Sequence, residues 1–197
     1  SPSGASHVFD ARADGFVRGE GCGAGVLRAD AADADAAGWA GRNVAGSSVG
    51  HDGRSASLTA PNGRAQQLLL GNVLTDAAVA PSQLQLVEAA ANGSALGDPI
   101  EVGAVAAALL AARRELGALA IGGVKANTGH TESASGVLGA AKLLCALSRA
   151  QAAPNAQLKV LAGHVSNALQ NAPAPCAFPA QLAALAPAPA YGTVSSF

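Results

Sequence analysis

Lys125, Asn127, His130 and Glu132 fall within eight residues, in the stretch IGGVKANTGHTESASGVLGAAK (residues 121–142). A lysine and a histidine this close supply a fixed positive charge beside a group that donates a hydrogen bond, or moves a proton, near neutral pH. Residues 120–124 before them form an apolar run of the kind that makes a buried strand. Residues 133–147 after them are mostly small and apolar and predict a helix. The chemistry is thus expected at the C-terminal edge of a strand, beside a helix N-terminus, where open α/β folds usually hold it.

A second stretch, VEAAANGSALGDPIE (residues 87–101), follows the same strand, loop and helix plan but has no histidine in its loop. Asp98 and Glu101 could pair as carboxylates there. Asp98 followed by Pro99 reads better as a helix start, with Asp98 as the cap, and the helix is expected to run to about Arg114.

The rest of the chain must carry these two loops. A glycine-dense run at 19–25 leads into a short strand at Val26 and Leu27; it lacks the Lys-Ser/Thr ending of a phosphate loop and the third glycine of a dinucleotide loop. Residues 30–37 suggest a solvated turn or short helix, 44–49 a strand, and 51–61 a turn-rich loop. Asn62 is placed to cap a helix over 63–74, and 84–88 and 118–124 read as strands. Residues 150–189, rich in Pro, Ala and Gln, are expected to be extended surface chain, and a strand-like run begins at Thr193. His7, His51 and His164 read as surface residues. Alternating helices and strands predict an α/β layered fold.

Composition narrows the field. Half of the 197 residues are apolar and only 3% aromatic, so the core must pack Ala, Val and Leu closely. The net charge of −1 gives no reason to expect a nucleic-acid partner, and no apolar run approaches the roughly 20 residues of a membrane span. Cys22, Cys145 and Cys176 are scattered, without the spacing of a disulfide framework or a zinc site. They suggest an intracellular setting, cytoplasmic or, as an alternative, a plastid. The sequence begins at Ser1 and has no methionine, which suggests a processed or, in the favoured reading, an incomplete chain.

Five blocks in order resemble the β-ketoacyl synthase (ketosynthase) domains of type I polyketide and fatty acid synthases: 9–27 (FDARADGFVRGEGCGAGVL), 52–67 (DGRSASLTAPNGRAQQ), 87–101, 124–142, and 194–197 (VSSF). The resemblance implies a thiolase-like layered fold, with residues 1–60 ending the first ketosynthase half and 61–197 forming most of the second. It implies a nucleophilic cysteine in a D-T-A-C-S-S-type elbow upstream of Ser1. Cys22 matches a packing cysteine, and none of the three cysteines has the elbow's context. By motif position, His130 is the family's second catalytic histidine. Lys125 supports it electrostatically, Glu132 lies near it, and Asn127 and Gly129 shape the loop.

The first histidine of the family's V-E-A-H-G-T-G-T pattern is replaced by Ala90, with Ala91, Asn92 and Ser94 also departing from it. A methyl group neither donates a hydrogen bond nor carries a proton. The implied reaction is decarboxylative condensation of acyl and malonyl thioesters, without a bound cofactor or metal. Its substrates ride on the phosphopantetheine of an acyl carrier protein, and the intact domain is a homodimer. Arg12, Arg18 and Arg64 could face that carrier, though solvated charge is the simpler account. The alternative is a non-condensing homologue that serves as a binding or dimerisation partner.

Overall fold

The computed structural model describes residues 1–27, 42–55, 57, 60–113, 117–186 and 190–197. The turn or helix expected at 30–37 lies outside the described residues, and the helix expected to run to about Arg114 ends instead at Ala108, followed by a 3₁₀ turn over Leu110–Ala112. Four strands form one parallel sheet: β1 (Leu84–Glu88), β2 (Leu119–Gly122), β4 (Cys176–Ala177) and β6 (Tyr191–Val194), in the order β4-β2-β1-β6. β3 (Gln151–Ala152) and β5 (Ala183–Ala184) pair antiparallel beside it.

Alternate residues of a strand face opposite sides. Val87, Leu119 and Ile121 join the larger apolar cluster with Val102, Val105 and Leu109. Leu86 and Ala120 join a smaller one with Leu143 and Ala146. Helices accordingly cover both faces. On the first side lie α1 (Gly63–Ala77), α2 (Gly97–Ala108) and α5 (Gly163–Leu169), which pack on one another through α2. On the other lies α4 (Ser135–Arg149), against β1, β3 and β6. Ser135, Gly139, Leu143 and Ala146 are its buried residues, and their spacing is that of one helical face. A bulge in β1, where Leu84 and Leu86 oppose the consecutive Tyr191 and Gly192, lets Leu84 and Leu86 face different clusters.

The expected cap of α1 forms: Asn62 Oδ1 accepts from the Arg64 and Ala65 N–H groups at 3.0 and 3.2 Å. Other expectations need correction. Residues 44–49 and Val26–Leu27 form no strand; Val44 and Val49 are 71% and 98% exposed, with no described strand beside them to complete a ladder. Residues 150–189 are not plain surface chain. They contain β3, β4, β5 and α5, and they bury Ala152, Asn155 and Val165. These elements have seven residues or fewer, too short for periodicity to register. The last strand starts at Tyr191, not Thr193. The helix expected from 133 is preceded by a 3₁₀ turn, Glu132–Ala134. His7 is buried at 5% exposure, its Nε2 paired with Ser3 Oγ, because residues 6–10 dive into the core around Val8 and Phe9. Cys22 is exposed, so it does no packing among the described residues. His51 and His164 are exposed as expected.

Candidate active site

Both motif loops leave the C-terminal ends of adjacent parallel strands, Ala90 after β1 and Lys125 after β2. Lys125 opens a one-turn helix, α3 (Lys125–Thr128), where a loop was expected. The turn aims its side chain across the strand ends, and Lys125 Nζ donates to the carbonyl of Ala90. On the other side of the same residue, Glu101 Oε1 accepts the Ala90 N–H at 2.7 Å. The main chain at position 90 is therefore clamped by a lysine and a glutamate.

Asp98 is not the N-cap of α2, which starts one residue earlier. It is 2% exposed and gathers the N–H groups of Phe9, Asn92, Gly93 and Ser94 at 3.0 to 3.3 Å. Its work is to fold the 92–94 loop and hold the N-terminal segment against it. Ser94 Oγ takes the Gly97 N–H at 3.0 Å instead, closing the helix start.

The charges are set by burial. Burial pushes the Glu101 carboxyl up to about 7; the Ala90 N–H and Lys125 oppose this, and Asp98 adds to it. Burial also raises the Asp98 carboxyl, against the four N–H donors. Burial lowers the Lys125 ammonium, while Glu101, Asp98, Glu88 and Glu132 pull it back up. Lys125 thus feels four acidic side chains, of which Glu88 is ion-paired with Lys142 and Glu132 with Arg18.

His130 is pinned by its main chain to residues 17–19. Its N–H donates to Val17 O at 2.8 Å, and its carbonyl accepts from Gly19 N at 2.9 Å. Gly129 makes the approach possible: it has φ +74° and ψ −177°, and a Cβ there would lie 3.0 Å from Val17 O. The ring lies tilted on Phe16, centroids 4.9 Å apart. His130 Nδ1 accepts from the Glu132 N–H at 2.9 Å and faces Ser135 Oγ at 3.1 Å. A backbone N–H can only donate, so Nδ1 is the acceptor and the neutral ring carries its proton on Nε2. Burial first, and Lys125 second, lower the pKa of His130, which favours that neutral form; Glu132 opposes them. The site therefore offers one N–H donor, Nε2, that no described residue occupies.

Of the sequence candidates, Lys125 and Ala90 touch, and His130 shares their field. Glu132 acts on His130 through its backbone N–H, while its half-exposed carboxylate lies 3.3 Å from Arg18 Nε. Asn127 is exposed; its N–H closes the α3 turn on Val124 O at 2.9 Å. Sequence reasoning weighed Glu101 only as a carboxylate partner of Asp98 and passed over Phe16 and Ser135. For Glu101 the signal was its place three residues after Asp98, next to it on one helix face. Phe16 carries no such signal. Cys22 and Cys145 are exposed, and burial raises the half-buried Cys176 thiol. No group of three or more described His, Cys, Asp or Glu residues could hold a metal ion, and no described helix is long and apolar enough to cross a membrane.

A parallel sheet covered by helices on both faces, with a lysine and a histidine at its C-terminal edge, defines a layered α/β protein, and the ketosynthase structures it matches make that fold thiolase-like. Residues 42–159 match the beta-ketoacyl synthase C-terminal domain, and residues 1–32 the beta-ketoacyl synthase N-terminal domain. The chain belongs to the beta-ketoacyl synthase family. One component of the phenolphthiocerol/phthiocerol polyketide synthase of Mycobacterium tuberculosis is 44% identical over 166 residues, which is 84% of this chain and 9% of that protein. The highly reducing polyketide synthase azaB of Aspergillus niger is 43% identical over 161 residues, 80% of this chain and 6% of that protein. Among solved structures, the ketosynthase from module 6 of the bacillaene synthase of Bacillus subtilis 168 matches with a TM-score of 0.86 at 31% identity, over 100% of this chain and 35% of that one. The oxazolomycin ketosynthase domain OzmH KS7 of Streptomyces albus JA3453 matches at 0.83 and 32% identity, over 93% of this chain and 31% of that one. The chain thus spans about a third of a ketosynthase and less than a tenth of the synthases it resembles.

Proposed function

We propose that this chain supplies the extender-handling part of a β-ketoacyl-[acyl-carrier-protein] synthase, and that the part is impaired at Ala90. Residues 1–60 then end the first ketosynthase half and 61–197 form most of the second. In the family reaction an acyl group sits on a cysteine thiol outside this chain, and a malonyl-type thioester arrives on the phosphopantetheine of an acyl carrier protein. The bond to the malonyl carboxylate breaks, carbon dioxide leaves, and the electron pair forms an enolate on the thioester carbonyl. The enolate carbon bonds to the acyl carbon, and the cysteine thiolate leaves. Homodimerisation and an intracellular, cytoplasmic setting belong to this reading.

The observation that carries it is the Nε2–H of a neutral His130, which no described residue accepts, in the field of the buried Lys125. A preorganised donor of this kind stabilises an enolate oxygen, and losing one typically costs about 10²–10³ in rate. Ala90 supplies no second donor. That favours the second reading, a non-condensing homologue that retains binding and assembly.

The test gives the full-length protein acyl- and malonyl-carrier proteins, alone and as the Ala90→His and His130→Ala variants. Acyl loading is read by intact mass and decarboxylation by release of labelled carbon dioxide. We expect Ala90→His to raise decarboxylation by about 10²-fold with loading unchanged. Loading without any gain from Ala90→His would favour the non-condensing reading. Decarboxylation unaffected by His130→Ala would remove the proposed role of that residue.

A further inference from the structure

Glu88 ends β1, 1% exposed, and both of its carboxylate oxygens are taken. Oε2 meets Lys142 Nζ of α4 at 2.6 Å, in an ion pair that leaves the lysine side chain only 14% exposed. Oε1 accepts the Val124 N–H at 2.5 Å. Burial raises the Glu88 carboxyl, against the pull of Lys142.

The Val124 contact matters because β2 leaves the sheet there. Ala89 N–H still reaches Gly122 O at 2.7 Å, but the next two N–H groups turn to side chains. Gly123 goes to Asn155 Oδ1 at 2.9 Å and Val124 to Glu88. Asn155 is fully buried and donates in turn to Ile121 O and Pro179 O. The backbone that delivers Lys125 is thus shaped by two buried side chains. A Cβ on Gly122 would sit 2.9 Å from Lys142 Nζ, so the glycine leaves room for the ammonium.

Glu88 also holds the end of β6, through its own carbonyl and the Ser195 N–H at 2.9 Å. Four segments therefore meet at one residue: the loop to Ala90, the turn to Lys125, the helix that follows His130, and the chain after β6. A buried ion pair costs desolvation of both charges, and apolar residues of the same size often stabilise a fold as well or better. Stability alone is a poor account of this pair.

We propose that Glu88, oriented by Lys142, is a positioning residue that sets the placement of Ala90, Lys125 and His130 relative to one another. The proposal rests on the role of His130 as enolate donor, but its test does not need turnover. In the full-length protein, Glu88→Gln and Lys142→Gln are made singly and together. The readouts are the ring-nitrogen shifts of His130 against pH and amide exchange at Gly123 and Val124. We expect each single change to move the His130 midpoint and to speed exchange at Val124 by about tenfold. The double change rebuilds a neutral hydrogen-bonded pair and should bring both readouts back towards the parent.

Single variants that fold and leave both readouts unchanged would overturn the proposal, as would a double variant that behaves as the sum of the singles. Where a single variant does not fold, the double decides by the same criterion. Exchange in the unaltered protein adds a check that needs no variant: Val124 must be as protected as the β1 and β2 amides, and a freely exchanging Val124 contradicts the role. Because imidazole shifts and amide exchange are read without substrate, a failed condensation assay leaves this result standing.

Discussion

His130 keeps its proton off Nδ1. The Glu132 N–H and Ser135 occupy that nitrogen, and the nearby Lys125 disfavours a second proton on the ring. Lys125→Met should therefore raise the His130 midpoint, which a ring-nitrogen titration would reveal; a midpoint that falls or stays put would contradict the electrostatic account. Because the folded-state value lies below the ordinary one, the unfolded chain takes up this proton first as pH falls. His130 thus withdraws stability on acidification below about pH 6.5. Gly129 is the second sensitive residue. Its φ and ψ lie in a region that side chains scarcely enter, so Gly129→Ala should cost about 1–3 kcal/mol in denaturant unfolding and loosen His130 from Val17.

α2 carries the acid that holds the Ala90 loop. Glu101 is buried, and that burial pushes its carboxyl up to about 7, whereas in the unfolded chain it ionises near 4.5. Between those two values the folded state alone keeps the proton, so stability falls as pH rises from about 4.5 to about 7, by roughly 3 kcal/mol. Glu101→Gln keeps an acceptor for Ala90 and should flatten that slope in unfolding curves taken across this range. At the start of α1, Asn62→Ala should cost about 1 kcal/mol, because two N–H groups lose their acceptor.

What the sequence disclosed at this scale was uneven. α1, α4, β1 and β2 announced themselves through caps and apolar spacing, and so did the positions of Lys125 and His130. Three features stayed hidden, each for a physical reason. Asp98 looks like a cap because capping and loop-gathering use the same carboxylate-to-N–H contact. The partnership of Glu88 with Lys142 spans 54 residues and leaves no local pattern. β3, β4 and β5 have two residues each, below the length at which alternation can be seen.

Over the whole molecule, the described surface is apolar in places that a self-sufficient fold usually covers. Val26, Leu27, Val44 and Val49 are each more than two-thirds exposed. The chain spans about a third of the ketosynthases it resembles, and such side chains suit contact with further protein. The isolated 197-residue chain should self-associate with rising concentration in sedimentation velocity, and Val44→Lys with Val49→Lys should reduce that. A single monomeric species at every concentration would speak against the expectation.

The grip on position 90 has an evolutionary consequence. Lys125 and Glu101 hydrogen-bond to the peptide groups there, contacts that any residue with a backbone N–H can make. Side-chain changes at position 90 can therefore accumulate over generations while both main-chain hydrogen bonds persist.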